Sequence, residues 1–393
     1  MKGTTVIVAN GISKDNMRLQ PWRYLYEIGL RITSKHRVVF ITDGDADSVE
    51  ESWSEGVTVV YTRFLSVFRQ RQLGGLIAAY EPAQVWWSTT PRTLAFWPVL
   101  RSLGCPIIAL ITCPLYSWRE LFRASLAGIP FVQLRALWQQ RLIPRWLFIR
   151  MLESSVFSKV FTQSKSNRNL LLGGGATDGK VAVLPVGIDK EDRSPVSSTV
   201  ISDAKLIFGF EDSDCVFLYL GAVRPIRGFD ALMEAFPDVV KNEPRVRLVV
   251  LARGADDDLC RSIETQADEK GWGKSIRVIG GWLTREQVWG SIEACDVVIL
   301  PFVIVPSDVP IAILEALSRG KPVIASPVDG IPELVEGRGI VVDPLDKNKF
   351  ANAMIHLSLN QDIVTRLGKA ARDFMEEYPD WDQVGDIALK EVV

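Results

Sequence analysis

Short apolar segments alternate with longer amphipathic segments along most of the chain. Brief runs rich in Val, Ile and Leu predict buried parallel strands, and the amphipathic segments between them predict crossover helices. The predicted strands are residues 4–9, 38–42, 57–61, 84–87, 107–111, 160–162 and 181–184, followed by 215–220, 246–251, 276–279, 297–300, 323–325 and 340–342. The pattern therefore predicts an α/β protein built from two Rossmann-like, doubly wound units.

The boundary between the two units is predicted near the segment 185–189, Pro-Val-Gly-Ile-Asp, and the polar stretch after it. Proline, glycine and charge cluster there, where the strand periodicity stops. We predict an N-terminal domain at 1–187 and a C-terminal domain at 188–375. Thr284 and Gln287 have the spacing of a capping box, and 376–393 is predicted to form one last amphipathic helix.

The net formal charge of −2 conceals a division between the two halves. Residues 1–190 carry 23 basic and 13 acidic side chains, a formal charge of +10, which leaves 22 basic and 34 acidic side chains, a charge of −12, for the rest. Eight of the 12 tryptophans also lie in the first half. An anionic partner is therefore expected on the first half, although the whole chain is almost neutral.

The composition favours a folded protein in a reducing compartment. The five cysteines are odd in number and contain no C-x-x-C pair, so buried thiols are expected. The apolar run near the N-terminus is too short for a signal peptide, and no apolar run reaches the roughly 18 residues of a membrane span. We expect a cytoplasmic protein, free or peripheral at the inner face of the membrane.

The loop 221–228 is the first segment that suggests chemistry. It follows a predicted buried strand and opens a helix, with Gly221 and Gly228 at its ends and Arg224 and Arg227 inside. Free amides at a helix N-terminus, together with forked arginine donors, suit phosphate oxygens. An ordinary surface turn with two solvated arginines is the alternative. The spacing is neither G-x-G-x-x-G nor a Walker A loop, which disfavours dehydrogenases and P-loop NTPases.

The second segment, 301–324, contains a strand end, a loop and an apolar helix. Pro310 is suited to the first turn of that helix, and Ser307 or Asp308 could cap it. Asp308 and Glu315 are expected on nearly the same side if the loop continues the helical path, where they could accept hydrogen bonds from sugar hydroxyls. For Asp308 a plain cap is the alternative, whereas Glu315 lies in an apolar run and needs a partner.

These segments resemble the donor domain of family 4 retaining glycosyltransferases (glycosyl transferases group 1), which have the GT-B fold. The resemblance covers the loop 221–228 and several motifs in the order of that family: Pro301-Phe302, Pro310 to Glu315-Ala316, Gly320-Lys321-Pro322-Val323-Ile324-Ala325-Ser326, and Gly330-Ile331-Pro332-Glu333-Leu334-Val335. The segment 183–189 and the tail around 378–381 match the interdomain segment and the returning C-terminal helix. Two Rossmann-like domains facing across a cleft are implied.

The resemblance implies roles for matching residues. Glu315 corresponds to the second glutamate of the E-x7-E motif and would bind the donor ribose. Arg227, with Arg224, would neutralise the leaving diphosphate. The amides of Ile311 and Ala312 would reach the donor phosphate or sugar. Arg253 and Trp282 would flank the base, although a tryptophan packed beneath a loop is the commoner outcome.

The chain departs from the family pattern at three points. The first glutamate of E-x7-E falls at Ser307, so Asp308 would have to contact the transferred sugar. The first arginine of the loop falls at Ala222, and Arg224 is the proposed substitute. The histidine common in the N-terminal domain is absent. In the front-face mechanism of such enzymes the leaving phosphate oxygen can take the acceptor proton, so positioning and cationic stabilisation would suffice.

No cofactor is expected beyond the nucleotide sugar as co-substrate, and no metal. The acidic clusters at residues 43–47 and 256–258 resemble D-x-D metal motifs, but solvated loop carboxylates are the favoured interpretation. On the acceptor side, the residues expected beyond strand ends are Asn10, Gly11, Thr89 and Tyr116.

Residues 117–150 are rich in arginine and tryptophan and contain a single acidic residue, Glu120. Such segments suit an anionic membrane surface or a polyprenyl-phosphate-linked acceptor. A basic solvated helix face with core tryptophans is the alternative.

We therefore predict a retaining, metal-independent glycosyltransferase that moves a sugar from a nucleotide diphosphate sugar to a glycan or lipid-linked acceptor. A non-catalytic nucleotide-sugar-binding partner subunit of a glycan-assembly complex is the alternative, suggested by Ser307 and Ala222. Nucleic-acid binding is disfavoured because no recognition motif is present.

Overall fold

The first half of the chain folds around one twisted sheet in the computed structural model, which describes residues 3–17, 19–305 and 307–392. The strand order is β3-β4-β2-β1-β5-β6-β7-β8, and every neighbouring pair is parallel except β3 with β4. The strands are β1 Thr4–Val8, β2 Arg37–Asp43, β3 Val49–Ser54, β4 Val57–Thr62, β5 Pro82–Ser88, β6 Ile107–Ile111, β7 Phe157–Thr162 and β8 Val181–Val183.

The second half contains a parallel sheet with the order β11-β10-β9-β12-β13-β14. Its strands are β9 Cys215–Gly221, β10 Val246–Arg253, β11 Ile276–Gly281, β12 Val297–Leu300, β13 Val323–Ala325 and β14 Gly339–Val341. The strand order reverses at β9, between β10 and β12, and ligands in open α/β sheets bind at such a reversal, beyond the carboxyl ends of the strands.

Helices cover both sheets. They are α1 Trp22–Ile32, α2 Gln70–Ala78, α3 Trp97–Ser102, α4 Trp118–Leu126, α5 Phe131–Arg141, α6 Arg145–Glu153, α7 Lys165–Gly173, α8 Ser198–Phe208, α9 Phe229–Asn242, α10 Asp257–Glu269, α11 Arg285–Ala294, α12 Ile311–Ser318, α13 Ile331–Val335, α14 Lys347–Leu359, α15 Gln361–Glu377 and α16 Trp381–Leu389. The predicted capping box of Thr284 and Gln287 is present at the start of α11. The predicted architecture of two doubly wound units is confirmed.

Strand β3 was not predicted from the sequence. Its residues, VEESWS, are mostly exposed or half-buried, and it pairs antiparallel with β4 at the edge of the sheet. A largely exposed edge strand needs no apolar periodicity, and charged side chains protect its free edge from pairing with other chains. The acidic side chains that weaken the strand signal are therefore consistent with its position.

The last helix returns to the first sheet. Asp380 forms a capping box with Gln383 at the start of α16. Just before it, the carbonyl of Pro379 accepts a hydrogen bond from the N–H of Ile188 in the linker over 3.3 Å. Gly385 of α16 lies against the side chain of Arg31 on α1, where a Cβ atom would come within 2.3 Å. The C-terminal helix thus packs on the N-terminal half, and it spans only residues 381–389 of the predicted segment 376–393.

Candidate functional site

The loop after β9 is fixed to the end of β12 by Gly228. Gly228 has φ of +72°, and a Cβ atom there would lie 1.6 Å from the carbonyl oxygen of Pro301. Only glycine allows both this backbone conformation and this approach. The first turn of α9 and the preceding Arg227 are consequently held at the carboxyl edge of the sheet, beside Gly221.

Arg227 is half-buried without a neutralising partner. Its guanidinium lies 5.6 Å from the ring centre of Phe302, and no described carboxylate lies within 4.0 Å of it. Burial lowers the pKa of Arg227, and so do the nearby charges of Arg253 and Arg224, whereas Tyr219 acts in the opposite direction. A cation kept in this state without an anion is costly, which is typical of a site that receives an anionic ligand.

Arg224, Arg227 and Arg253 form what we call the arginine cluster. Arg224 and Arg253 are exposed and sit in the loop after β9 and at the end of β10, respectively. No ion pair is recorded for either side chain among the described residues. Each guanidinium group offers several N–H donors, and neighbouring guanidinium groups at the edge of a sheet can together bind the several oxygens of a diphosphate.

Trp282 stands at the same edge, after β11. Its side chain is 77% exposed, and its ring lies 3.5 Å from the position that a Cβ atom on Gly254 would occupy. The Gly254 N–H donates to the carbonyl of Gly281 over 2.8 Å, which ties the two loops together. The alternative, in which this tryptophan packs beneath a loop, is wrong because most of the indole is exposed and accessible for stacking.

Helix α12 begins later than the sequence suggested. Pro310 is its N-cap residue, and no side chain caps the helix, so neither Ser307 nor Asp308 acts as the cap. The loop before Pro310 does not continue the helical path. The predicted alignment of Asp308 with Glu315 is therefore wrong, and the N–H groups of Ile311 and Ala312 are left at an uncapped helix start.

Glu315 lies on α12 between the arginine cluster and the linker. Burial raises its pKa to about 7, and the charge of Asp192 adds to the rise, whereas Arg23, Arg285 and Arg253 act in the opposite direction. No hydrogen bond to its carboxylate is recorded among the described residues. A half-buried carboxyl group with free acceptor atoms can bind vicinal hydroxyls such as those of a ribose.

Asp308 and Ser307 occupy a different environment. Asp308 is fully buried and lies close to Ser164 of the N-terminal half and to Gly330, and burial raises its pKa to about 6. The Ser307 hydroxyl is also buried, and no described residue forms a hydrogen bond with it. The structure therefore places Asp308 in the contact between the halves, not with Glu315 and the arginine cluster.

An ion-pair network beside Glu315 was missed in the sequence. Arg23 of α1 pairs with Asp189 of the linker over 2.5 Å, and Arg285 of α11 pairs with both Asp189 and Asp192, the latter over 2.8 Å. We call these four residues the hinge network. The residues come from three separate segments, so no local motif could have revealed the network.

Asn10 and Gly11 follow β1 at the carboxyl edge of the first sheet. Gly11 has φ of +75°, and its N–H donates to the Asp43 carboxylate over 2.5 Å. The carbonyl of Asn10 accepts from the Trp22 indole over 2.8 Å, and the Asn10 side chain is exposed. Asp43, which the sequence suggested only as a loop carboxylate, thus fixes the loop predicted to face the acceptor.

Thr89 and Tyr116 are both buried. The Thr89 hydroxyl donates to the Trp87 carbonyl over 2.7 Å. Tyr116 donates to the carbonyl of Val305 over 3.1 Å and accepts from its N–H over 2.8 Å, so it joins the two halves. Tyr116 therefore lies where the two sheets face each other.

The second acidic cluster has a structural role. Asp256 accepts from the N–H of Leu259 over 2.9 Å and caps α10. Within the part of the chain that the structure describes, no group of three or more His, Cys, Asp and Glu side chains is arranged to hold a metal ion.

Helices α4, α5 and α6 carry a large apolar surface. Its exposed side chains, which we call the α4–α6 surface, are Trp118, Phe122, Leu126, Phe131, Val132, Leu142 and Trp146. The alternative, in which the tryptophans of this segment fill the core, is wrong for Trp118 and Trp146, which are 41% and 64% exposed. Across residues 3–17, 19–305 and 307–392, every helix is too short or too polar to cross a membrane.

Part of the second half of the chain is similar to a known family. Residues 214–360 match the family model of Glycosyl transferases group 1. The D-inositol 3-phosphate glycosyltransferase of Corynebacterium jeikeium is 26% identical over 210 residues, which are 52% of this chain and 49% of that protein. The GDP-mannose-dependent monoacylated alpha-(1-6)-phosphatidylinositol monomannoside mannosyltransferase of Corynebacterium glutamicum is 25% identical over 209 residues, 52% of this chain and 53% of that protein. These matches span about half the length of the relatives.

The whole fold is shared with solved structures. Sucrose-phosphate synthase from Thermosynechococcus elongatus superposes with a TM-score of 0.72 at 17% identity, covering 99% of this chain and 98% of that one. Anabaena HepE in complex with UDP superposes with a TM-score of 0.71 at 16% identity, covering 99% of each chain. This similarity shows that the chain has the GT-B fold, and residues 214–360 of its second half resemble the glycosyl transferases group 1 family.

Proposed function

We propose that the protein is a glycosyltransferase that moves a sugar from a nucleotide diphosphate sugar to a glycan or lipid-linked acceptor. The observation that carries the proposal is the arginine cluster, Arg224, Arg227 and Arg253, open at the carboxyl edge of β9 and β10 with Glu315 nearby. Cations without carboxylate partners suit a diphosphate, and the acceptor oxygens of Glu315 suit a ribose.

The donor contacts follow from this arrangement. Arg227 and Arg224 hold the diphosphate, and the uncapped amides of Ile311 and Ala312 point toward its sugar end. Arg253 and Trp282 flank the base. HepE was solved with UDP, and the corynebacterial mannosyltransferase is named for GDP-mannose, so both nucleotides are reasonable probes.

The transfer is proposed to be retaining and independent of a metal ion or other cofactor. The support is the family resemblance for retention and the arginine cluster for charge. Guanidinium groups fixed before the reaction can stabilise the negative charge that develops on the leaving diphosphate, the task that a divalent cation performs in other transferases. The acceptor would enter from the side of Asn10 and Gly11.

Peripheral membrane association through residues 117–150 is part of the proposal. The α4–α6 surface presents exposed aromatic and aliphatic side chains among arginines, the composition of an interfacial surface on anionic lipid. Vesicle flotation tests this point. Leu126→Ser should reduce binding to anionic vesicles, whereas Leu206→Ser, which removes an equally exposed leucine from α8, should not. Equal effects of the two variants would contradict the membrane assignment.

Turnover is tested with a panel of UDP and GDP sugars, by measuring nucleotide binding and slow donor hydrolysis. We expect binding and hydrolysis of at least one donor, and both should fall steeply in Glu315→Ala. Tight binding without hydrolysis or transfer would favour the alternative of a non-catalytic partner subunit, for which the buried Ser307 in place of a carboxylate is the specific motive. Near-normal activity of Glu315→Ala would contradict the donor site.

A further inference from the structure

The two halves of the molecule touch through the loops that follow β6, β7, β12 and β13. The Asp308 N–H, after β12, donates to the carbonyl of Thr112, after β6, over 3.4 Å. A Cβ atom on Gly330, after β13, would lie 2.7 Å from the Cβ atom of Ser164, after β7. The carboxyl edges of the two sheets are therefore in direct contact here, and a substrate that enters between them needs this contact to open.

Two carboxyl groups, Asp308 and Asp329, are enclosed in this contact, and we call them the buried acid pair. Asp308 is 0% exposed, and neither of its oxygens has a hydrogen bond of ordinary length and angle among the described residues. The Oδ2 atom of Asp329 is likewise buried and lacks such a bond. No described Lys, Arg or His side chain lies within 4.0 Å of either carboxyl group. A negative charge at either position would be unneutralised, which is costly away from water.

Asp329 is also held in an unusual backbone conformation. Its φ is +48°, in the left-handed region that residues other than glycine rarely adopt, although aspartate enters it more readily than most. Burial raises its pKa well above the ordinary value, the charges of Asp308 and Glu120 add to the rise, and the Tyr116 hydroxyl opposes it. A carboxyl group held at a cost in both backbone and charge is typical of a switch.

The Tyr116 hydroxyl relates the protonation of Asp329 to the closed contact. It donates its single hydrogen to the carbonyl of Val305 over 3.1 Å and accepts from the N–H of Val305 over 2.8 Å. The Asp329 carboxyl group lies within hydrogen-bonding reach of the same hydroxyl. An ionised carboxylate can only accept, and the hydrogen of the hydroxyl is already used, so Asp329 can bond to Tyr116 in this arrangement only as a protonated donor. The closed contact thus favours the protonated form.

We propose that the buried acid pair is a proton-operated latch, which holds the two halves together while both carboxyl groups are protonated and releases them when they ionise. Separation of the halves exposes both groups to water, where their pKa returns toward the ordinary value of about 4. Protonation therefore stabilises the closed form fully below about pH 4. This stabilisation is lost as the pH rises through about 6 for Asp308, with Asp329 following at higher pH. Acid closes the cleft, and neutral pH opens it to substrates.

Other titratable and charged groups face the buried acid pair from each neighbouring element. They are Tyr24 on α1, Cys113 and Tyr116 after β6, Glu120 on α4, Lys165 at the start of α7, Glu333 on α13 and Tyr378 after α15. Burial raises the pKa of the tyrosines and of the Cys113 thiol, so these groups stay uncharged between pH 5 and 8. Glu333 accepts from the N–H of Lys165 over 3.1 Å, a bond that also joins the halves. Burial and the charge of Asp308 raise the pKa of Glu333, against the effects of Lys165 and Ser166, so Glu333 changes the contact in the same direction.

The test is small-angle X-ray scattering of the full chain without nucleotide, fitted as a mixture of closed and open molecules at pH 5.0 and pH 7.5 and one ionic strength. The ratio of closed to open molecules should fall at least about tenfold over this interval, since each unit of pKa difference corresponds to a tenfold change. Asp308→Asn combined with Asp329→Asn should reduce that fall to about threefold or less, because asparagine keeps the shape of the side chain without the charge. Asp203→Asn combined with Asp373→Asn removes two exposed carboxylates and should behave as the unmodified protein does.

An unchanged ratio between the two pH values in the unmodified protein would overturn the proposal, and so would an equal fall in the double variant of the buried acid pair and in its control. Tyr116→Phe is a second variant in case the asparagine variant fails to fold. It breaks the bonds to Val305 without changing a charge and should lower the closed fraction at pH 5.0, so an unaltered closed fraction would also contradict the latch. Donor binding is measured separately on the same samples. A protein that opens with pH but binds no nucleotide sugar would contradict the proposed function alone.

Discussion

The arginines beside Glu315 fall into two groups with opposite surroundings. Arg23 and Arg285 of the hinge network each reach a linker carboxylate. Arg227 of the arginine cluster is half-buried against Phe302 without any described carboxylate within reach. A guanidinium with a carboxylate already in contact maintains the structure, whereas one held without an anion is available to a ligand.

This difference also explains how an acidic half can bind an anion. The second half carries a formal charge of −12, which disfavours a diphosphate at long range. The acidic side chains near the linker are occupied by the hinge network, so the field at the carboxyl edge of β9 and β10 is set by the nearest charges, those of the arginine cluster. Local arrangement outweighs net charge because screening limits exposed charges to about 8 Å at physiological salt.

The largest expected effect comes from Arg227→Gln. Removing a half-buried cation from the diphosphate should weaken binding of UDP or GDP by about 10- to 100-fold, the range for charge-assisted hydrogen bonds. The unliganded protein should unfold at the same temperature or slightly higher, because an unneutralised charge is removed. Isothermal calorimetry and thermal unfolding measure the two quantities.

Arg261→Gln is the matched control for Arg227→Gln. Arg261 lies on the exposed surface of α10 and pairs with the exposed Asp258, one turn away, so neither quantity should change measurably. A loss of stability in Arg227→Gln without a loss of nucleotide affinity would place Arg227 with the structural arginines and remove the distinction.

The sequence was sufficient to predict the parallel strands of both sheets, because buried parallel strands are apolar along their whole length. It failed for β3, where the residues face water, and for the start of α12, where the loop before Pro310 leaves the helical path. The glycines and arginines of 221–228 could be found because strand, loop and helix start are consecutive in the chain.

The remaining parts of the site depend on contacts between distant segments. The sequence shows neither that Asp189 contacts Arg23 of α1, 166 residues earlier, nor that Asp308 contacts Ser164. It also does not show that Trp282 is exposed or that Asp43 holds Gly11. Such pairings are set by the packing of one half on the other, and no local spacing records them.

Asp308 extends the comparison to a buried negative charge. Burial raises its pKa to about 6, above the ordinary value. The protonated carboxyl group therefore stabilises the folded state at acidic pH. This stabilisation is lost as the pH rises from about 4 to 6. We therefore compare the free energy of unfolding of Asp308→Asn with that of the unmodified protein. The difference in favour of the variant should grow by at most about 2 kcal/mol from pH 4.5 to pH 7.5.

Thermal unfolding at both pH values tests the Asp308 prediction. The charge of Asp308 also acts on other buried groups, so the variants are compared with one another at each pH and at one ionic strength; these groups are Tyr24, Cys113, Asp329, Glu333 and Tyr378. Asp203→Asn, an exposed change on α8, serves as the control. An identical pH dependence for Asp308→Asn and the control would show that Asp308 is not held as an unneutralised buried acid.

Glu315 lies between the two groups of arginines, and the pH dependence of nucleotide sugar binding should report its protonation. Its pKa of about 7 means that the carboxylate form, which accepts hydrogen bonds from a ribose, grows from a minor to a major fraction between pH 6 and 8. Nucleotide sugar affinity should rise about tenfold over that interval. A nucleotide sugar is used because its diphosphate does not titrate there, and Glu315→Gln should bind weakly with a flat profile. A tenfold rise that persists in Glu315→Gln would assign the pH dependence to another group.

The smallest expected effect is that of Arg285→Gln in the hinge network. Arg285 is 41% exposed at its side chain, but Asp192 is only 7% exposed, so losing this partner leaves a nearly buried carboxylate. We expect a loss of about 1 kcal/mol of unfolding free energy, reduced from the value for a fully buried pair because water screens the arginine. Nucleotide affinity should change less than threefold, the reverse of Arg227→Gln. Arg277→Gln, whose pairing with Glu264 spans 4.0 Å, is the control for stability. Arg285→Gln could instead reduce nucleotide affinity as much as Arg227→Gln without lowering stability. In that case paired and unpaired arginines would not differ in role, and the contacts of Arg285 with the linker carboxylates would have to be assigned to ligand binding.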